Sequence, residues 1–533
     1  MTSSVASALK ERTESAQETQ EETTVMTARR PGRRAVMVSA VLTQLMIVLD
    51  LTIIAIALPR MQDDLGMTVS QSPWTVTGYS LAFGGLVLFG GRLCAVVGIR
   101  RSYQVGLIGF GVASLAAGMA TSFPILLVAR VAQGCFGALL APTSQSLLNV
   151  TFTERTERER VFAIFGATGG LGAAVGLLVG GALTDWLSWR WALYINILLA
   201  AAALLIGQRS LPPADQRDRG SRITDDLTGL VLGCGACFSA VYGLDRAQQT
   251  SWTSTSTVSW LALGGIAAVL FVVRERFANR PVLPLSMMAL PVRAASYATQ
   301  FIASAGQMGA LIYLTYYMQN HFGYSPFKNG VVFLPMVLAL IATAILAGRV
   351  IVPRLGARGT LPLGLAVLTG SFLIFSRMTT DSTYSQVALP GLIVFGIGLG
   401  LTMPVTFNSG TRGVEAKRTG LASAILSAAQ QIGGSFGVAL MTSYATQHAE
   451  DYVAEHSEEV RAAAMEAMMR AQALPQSPAG KQIIEALKAQ LVDRAQIEAY
   501  AGGFTMMAWI LAGAGAALVA CGIALSVRRR RTR

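Results

Sequence analysis

The chain has 533 residues, of which 53% are hydrophobic and only 13% charged, and its mean hydropathy is +0.51. An ordinary soluble domain carries about twice that charge fraction, so the composition excludes a soluble enzyme and points to a helical protein of the membrane. The net charge of +13 suggests nucleic acid at first sight, but the placement of the basic residues assigns it to membrane topology instead.

Residues 1–34 are rich in Thr, Ser, Glu and Gln and read as a disordered cytoplasmic tail. Arg29, Arg30, Arg33 and Arg34 then abut the first apolar run, which is long enough to span, so it reads as an anchor and not as a cleaved leader. Fourteen transmembrane helices are predicted, at 35–59, 74–95, 103–121, 124–149, 161–183, 190–207, 228–245, 258–275, 294–318, 328–350, 360–377, 387–410, 420–446 and 503–527. The segments are far longer than barrel strands and do not alternate apolar with polar.

The first helix carries Asp50 and the fourth Arg130, the two charges that lie well inside a predicted span and not within a turn of its end. Each costs roughly 2.5–3.5 kcal/mol at mid-bilayer. Counting from Pro59 and Pro124 at their helix ends, both lie about 9–14 Å below the same surface. They are therefore placed to pair or to share one aqueous cavity. Either a proton-responsive carboxylate or a static ion pair satisfies this placement.

Between the second and third helices runs "GGRLCAVVGIRR", a tight loop with Gly91, Arg92, Gly98, Arg100 and Arg101 and no acid. The fifth helix reads "GATGGLGAAVGLLVGGAL". Gly172, Gly176 and Gly180 form one stripe that Gly181 broadens, and small residues at this spacing let helices approach closely. Static packing and a rocking interface both fit.

Arginines gather in alternate loops: Arg100 and Arg101, then Arg155, Arg158 and Arg160, then Arg209 to Arg222, and on to the C-terminal "RRRRTR". The positive-inside rule puts both termini on the cytoplasmic side, and the preference for Arg over Lys with high Ala and Gly reads as a bacterial composition, which makes the membrane a bacterial plasma membrane. The segment 447–501, with nine acids and five basics, falls outside, and reads as short amphipathic helices in a solvated cap.

Features recur at an offset of about 260 residues. Gly98 and Arg100 match Gly356 and Arg358, and Pro142 matches Pro404. The repeat divides the chain into a six-helix bundle (35–207), a linker with two additional helices (208–293), a second six-helix bundle (294–527) and a basic tail (528–533). Polar candidates for a substrate cavity between the bundles are Gln44, Asn196, Gln300, Gln307, Tyr313, Asn408, Gln430 and Gln431. His321, His448 and His456 are scattered, and Cys234 and Cys237 lie mid-helix, so neither a metal site nor a cofactor is expected.

These residues resemble the major facilitator superfamily, in particular its fourteen-helix drug–proton antiporter branch. "LDLTIIAIALP" at 49–59 is similar to the first-helix motif, "GRLCAVVGIRR" at 91–101 to motif A, and "LVARVAQGCFGALLAP" at 127–142 to motif B. "GLGAAVGLLVGG" at 170–181 is similar to motif C of the antiporters, and "SWRWALYIN" at 188–196 to the start of helix six. The resemblance implies an all-α major facilitator fold, proton coupling through Asp50 and Arg130, and a gating role for the motif A loop. It implies small amphipathic substrates, protons and membrane lipids as partners, with no nucleic acid. Three positions depart from the pattern: Ala95 stands where motif A has an acid, Leu177 where motif C has Pro, and Ala55 where the first-helix motif often has Asn. Export of drugs or antibiotics leads; another kind of transport (facilitator, importer, lipid exporter) and a non-transporting sensor stay open.

Overall fold

The computed structural model describes residues 32–68, 71, 72, 74–211, 226–278, 281, 283, 287, 288, 290–415, 418–470 and 477–531. Most of the expected 1–34 tail and the arginines of 212–225 lie outside the described residues, as do the side chains of Ala55 and Leu177. Among the described residues the fold is all helix. The helices are α1 (Arg33–Leu65), α2 (Trp74–Val97), α3 (Ile99–Gly118), α4 (Phe123–Thr151), α5 (Arg155–Trp186), α6 (Trp189–Gly207), α7 (Leu227–Gln249) and α8 (Thr255–Phe277). They continue as α9 (Pro291–Tyr316), α10 (Pro326–Val332), α11 (Leu334–Leu346), α12 (Val352–Phe375), α13 (Leu389–Thr411), α14 (Thr419–Arg470) and α15 (Pro478–Arg531). Ten stretches of the described helices are long and apolar enough to cross a membrane by length and composition, one of them the 49-residue run Phe327–Phe375.

The helix boundaries follow local chemistry. Gly66 closes α1 in the left-handed conformation (φ 59°), which glycine adopts without a Cβ penalty. Ser122 precedes α4 with Pro124 in its first turn, where a missing N–H costs nothing. Gly98 separates α2 from α3 with φ 98° and ψ 149°. Its counterpart in the repeat, Gly356, breaks α12 with φ 63° and ψ 176°. The stretch read as a loop at 91–101 is therefore helix on both sides of one residue, and Arg92 lies within α2, buried.

The early helices bury apolar side chains such as Tyr103, Phe110 and Leu140, and Leu49, Ile53 and Leu193. Helices α9 and α11–α15 share a separate core built on Phe372, Phe375, Phe395 and Phe504. The two groups meet where α2 and α4 pack on α14 and where α5 packs on α10, α11 and α13. Helices α7 and α8 pair with each other, and α7 lies against α2 and α14.

The segment 447–501 departs from expectation. Its helical parts are the continuations of α14, to Arg470, and of α15, from Pro478. Ile497, Ala499 and Tyr500 join the Phe372 core, and Asp493 Oδ2 lies 3.0 Å from His321 Nδ1, in the wide helical turn Tyr317–His321 that follows α9. Apolar residues at helical spacing continue through 491–501, so this end of the segment packs instead of lying in solvent.

A buried ion pair as the candidate functional site

The close approach of α5 orients α1. A Cβ on Gly172 would stand 3.0 Å from Val48, one on Gly176 would overlap Thr52 Oγ1, and one on Gly180 would stand 3.1 Å from Ile53. The glycine stripe thus receives Val48, Thr52 and Ile53. Asp50 projects from another side of α1, toward α4 and α6.

There it meets Arg130. Arg130 Nη1 donates to Asp50 Oδ2 at 2.6 Å, and neither side chain has solvent exposure. The same nitrogen donates to Gln133 Oε1 at 2.8 Å, and Arg130 Nε donates to the Thr75 carbonyl at 3.0 Å. The guanidinium also stands 4.6 Å from the centre of the Tyr79 ring, a cation–π contact that a desolvated site strengthens. On the other carboxylate oxygen, Asn196 Nδ2 donates to Oδ1 at 2.7 Å and Gln133 Nε2 at 3.2 Å. Gln133 Nε2 also donates to Ser114 Oγ at 2.7 Å. Five helices, α1, α2, α3, α4 and α6, therefore hold one carboxylate. Three N–H groups thus meet the oxygens of one buried carboxylate, the hydrogen-bond satisfaction that a buried ion pair needs.

The sequence placed Asp50 and Arg130 at one depth, and they are in contact. It missed Gln133, Ser114, Thr75 and Tyr79. Gln133 carried a usable signal, since it lies three residues after Arg130 on the same helical face. Ser114, Thr75 and Tyr79 carried none, because polar residues of this kind also appear in any membrane bundle. Asn196, expected on the cavity wall, belongs to the Asp50 cluster.

The other expected cavity residues are spread through the bundle. Gln300 Nε2 donates to Ser304 Oγ at 3.1 Å, and Gln300 Oε1 accepts from Thr406 Oγ1, joining α9 to α13. Tyr313 lies in the Phe372 core with its hydroxyl 3.0 Å from Thr442 Oγ1. Gln431 packs beside Gly84 of α2. Gln44 and Gln307 are buried, and Gln430 is half-buried. Asn408 offers its carbonyl to Arg158. A span ending at 245 also hid Asp245. α7 runs on to Gln249, and Asp245 Oδ1 accepts from Thr77 Oγ1 at 3.0 Å.

The motif A residues lie at a seam. A Cβ on Gly91 would stand 2.5 Å from Ala424 Cβ, and one on Gly420 would stand 3.2 Å from Cys94 Sγ. Arg100 Nη2 donates to the Gln208 carbonyl at 3.2 Å, and Arg101 is exposed. At this arginine-rich end the two helix groups are bonded directly. Arg158 Nη2 donates to the Asn408 carbonyl at 2.7 Å, Thr411 Oγ1 to Asn149 Oδ1 at 3.0 Å, and Gln145 Nε2 to Ser427 Oγ at 3.3 Å. Phe162 and Phe165 interlock there with Tyr297, Phe407 and Leu426, so this end is closed. Burial and the repulsion of Arg412 pull Arg158 down to about 10, which leaves it protonated at neutral pH.

A family profile described as the Major Facilitator Superfamily matches residues 40–438. The chain belongs to the major facilitator superfamily. As a member it is a membrane transporter and not an enzyme. It is 40% identical to the puromycin resistance protein pur8 of Streptomyces alboniger over 416 residues, covering 78% of this chain and 82% of the relative. It is 33% identical to the cephamycin export protein CmcT of Amycolatopsis lactamdurans, over 76% of this chain and 83% of that one. The tetracenomycin C resistance and export protein of Streptomyces glaucescens is 32% identical, over 74% of this chain and 73% of that one. Among solved structures, the human organic anion transporter MFSD10 superimposes with a TM-score of 0.58 at 15% identity, covering 90% of this chain and 100% of that one. At that identity the likeness is one of fold.

Proposed function

We propose that this superfamily member exports an amphipathic drug or antibiotic across the bacterial plasma membrane in exchange for protons, by alternating access of two six-helix bundles, and so confers resistance. Relatives named for puromycin resistance and for cephamycin and tetracenomycin C export support the substrate class. The observation that carries proton exchange is the fully buried Asp50–Arg130 pair. A buried pair is rarely a good stabiliser, and an intramembrane carboxylate marks an ion or proton path by default. Fourteen crossings, cytoplasmic termini and an arginine-rich cytoplasmic end belong to the same reading. On that orientation the closed end faces the cytoplasm, and the substrate path opens outward. No cofactor takes part, since the proton gradient supplies the work.

The test is efflux from everted vesicles of a strain lacking its own pumps. Wild-type vesicles extrude a fluorescent amphipathic cation when a pH gradient is imposed, and a protonophore stops them. Asp50→Asn abolishes the gradient-driven component while the protein remains in the membrane. Undiminished transport in that variant, or in wild type with protonophore, overturns the proton-exchange reading.

A further inference from the structure

The Asp50 carboxylate is surrounded by donors. Arg130 Nη1 takes Oδ2, while Asn196 Nδ2 and Gln133 Nε2 take Oδ1. An ionised carboxylate only accepts, so this arrangement is complete for the charged form. Once a proton is added, one oxygen must donate, and it faces N–H groups. Something in the cluster has to become an acceptor, or a buried O–H is left unpaired at a cost of about 1–3 kcal/mol.

Each neighbour can be asked in turn. Arg130 has no acceptor atom. Gln133 has its Oε1 held by Arg130 Nη1 at 2.8 Å and its Nε2 shared with Ser114, so turning its amide breaks contacts on both sides. Thr75 and Tyr79 lie with the guanidinium: the Thr75 carbonyl takes Arg130 Nε, the Tyr79 ring stacks on the cation, and the Tyr79 hydroxyl is directed at Gly137 on α4. Thr52, on the α5 side of α1, donates to its own helix at Val48 and Leu49. Thr75 Oγ1 and Tyr79 Oη are also buried without a partner, but neither is hydrogen-bonded to the carboxylate. Asn196 differs from all of these in combining the two features: it is wholly buried and already bonded to Asp50 Oδ1, and its own Oδ1 has no hydrogen-bond partner.

We infer that Asn196 is a positioning residue that turns its side-chain amide when Asp50 takes up a proton, so that Asn196 Oδ1 accepts the new Asp50 O–H. The inference rests on the proposed protonation of Asp50. The proton binds Asp50 Oδ1, the Asn196 Nδ2 bond to that oxygen is exchanged for an O–H···Oδ1 bond, and the Arg130 contact on Oδ2 is kept. The helix itself need not move. The first turn of α6 is tied to the end of α1, where Trp189 Nε1 donates to Asp64 Oδ2 at 3.0 Å and Arg190 pairs with the same carboxylate. One amide thus serves both protonation states.

Infrared difference spectra of the full chain in nanodiscs, recorded between high and low pH, test this directly. The wild type is expected to show a carboxylic C=O band on acidification that is lost in Asp50→Asn. A side-chain amide band shifts with it, responds to isotopically labelled asparagine and is lost in Asn196→Leu. In Asn196→Leu the carboxylic band persists at the higher frequency of an acid without an acceptor. In Asn196→Ser, whose hydroxyl can give or take a hydrogen bond, it stays near the wild-type position. Identical carboxylic frequencies in wild type and Asn196→Leu, or an asparagine amide silent to pH, overturn the inference while leaving Asp50 as the proton site. The absence of any band dependent on Asp50 overturns the proton reading and the inference with it. Should Asn196→Leu not fold, the labelled wild type and Asn196→Ser decide the matter.

Discussion

Removing one member of a buried ion pair strands the other charge. Arg130→Gln leaves Asp50 without its cation, and Asp50→Asn leaves Arg130 with fully buried N–H groups aimed at an amide. Each is expected to destabilise by about 3–5 kcal/mol, read as a fall in the thermal midpoint of the purified protein. The double variant is expected to lose less than the two falls added together, because no unpaired charge remains. Arg130→Lys is not conservative here, since a lysine has no second arm for the Thr75 carbonyl and no plane to lay on Tyr79. Outside the membrane spans, Asp64 is held below its ordinary value of 3.8 first by the hydrogen bond from Arg190 and then by that from Trp189. A depressed carboxylate contributes stability above its unfolded value and loses it as the pH falls through the folded one. Asp64→Asn should therefore lower the thermal midpoint slightly at neutral pH and make no difference in strong acid. The effect is small because the pair is partly exposed. Of this residue-scale picture the sequence carried Asp50 and Arg130, which are conspicuous because a charge in a span is costly. Gln133 was legible only through its spacing from Arg130 and Asn196 only as a cavity candidate, while the hydroxyls around the pair were illegible, since an isolated Ser or Thr costs too little in a membrane helix to stand out.

Helix pairing puts a number on each glycine of α5. Gly176→Ala places a methyl on Thr52 Oγ1, Gly172→Ala brings one to 3.0 Å from Val48, and Gly169→Ala meets nothing within 4 Å. The expected order of destabilisation is therefore Gly176 above Gly172 above Gly169, with about 1–3 kcal/mol for the first. Adding Thr52→Ala to Gly176→Ala should recover most of the loss. Thermal midpoints of the four variants check this; equal losses at all three glycines would show that the stripe does not set the α1–α5 distance. The stripe itself was plain in the sequence, but its partner was not. Periodicity tells which face of α5 is small, and only the folded bundle shows that α1 occupies it. The same limit applied to 447–501, whose acidic residues read as a solvated cap. Its amphipathic faces instead extend α14 and α15, and Tyr500 and Ile497 complete the Phe372 core.

Across the whole molecule, the absent acid at Ala95 raises the question of what keeps the arginine-rich end shut. Beside the Thr411–Asn149 and Gln145–Ser427 hydrogen bonds and the Phe162–Phe407 packing, two features contribute to the closure. Glycines let α2 and α14 touch, Gly91 against Ala424 and Gly420 against Cys94. Arg158 reaches from α5 to the exposed carbonyl end of α13 at Asn408, where a cation meets the negative pole of the helix. Cys94 is a natural reporter, being 1% exposed in that seam. In a chain whose other cysteines are replaced by serine, Arg158→Gln should speed alkylation of Cys94 at least severalfold, and Ala95→Asp should not. Equal alkylation rates in wild type and Arg158→Gln would assign the closure to packing alone.

Composition and spacing by themselves determined that this is a helical membrane protein. Long apolar runs have no other stable home, and Gly98 and Gly356 repeat in the sequence at corresponding positions, where the structure breaks a helix in each part of the chain. The sequence also singled out Asp50 and Arg130, since buried charge is too costly to be incidental. Which atoms satisfy that charge was decided by tertiary structure alone. Hydrogen bonds reach only about 3 Å, and the residues that make them here come from five helices far apart in the chain.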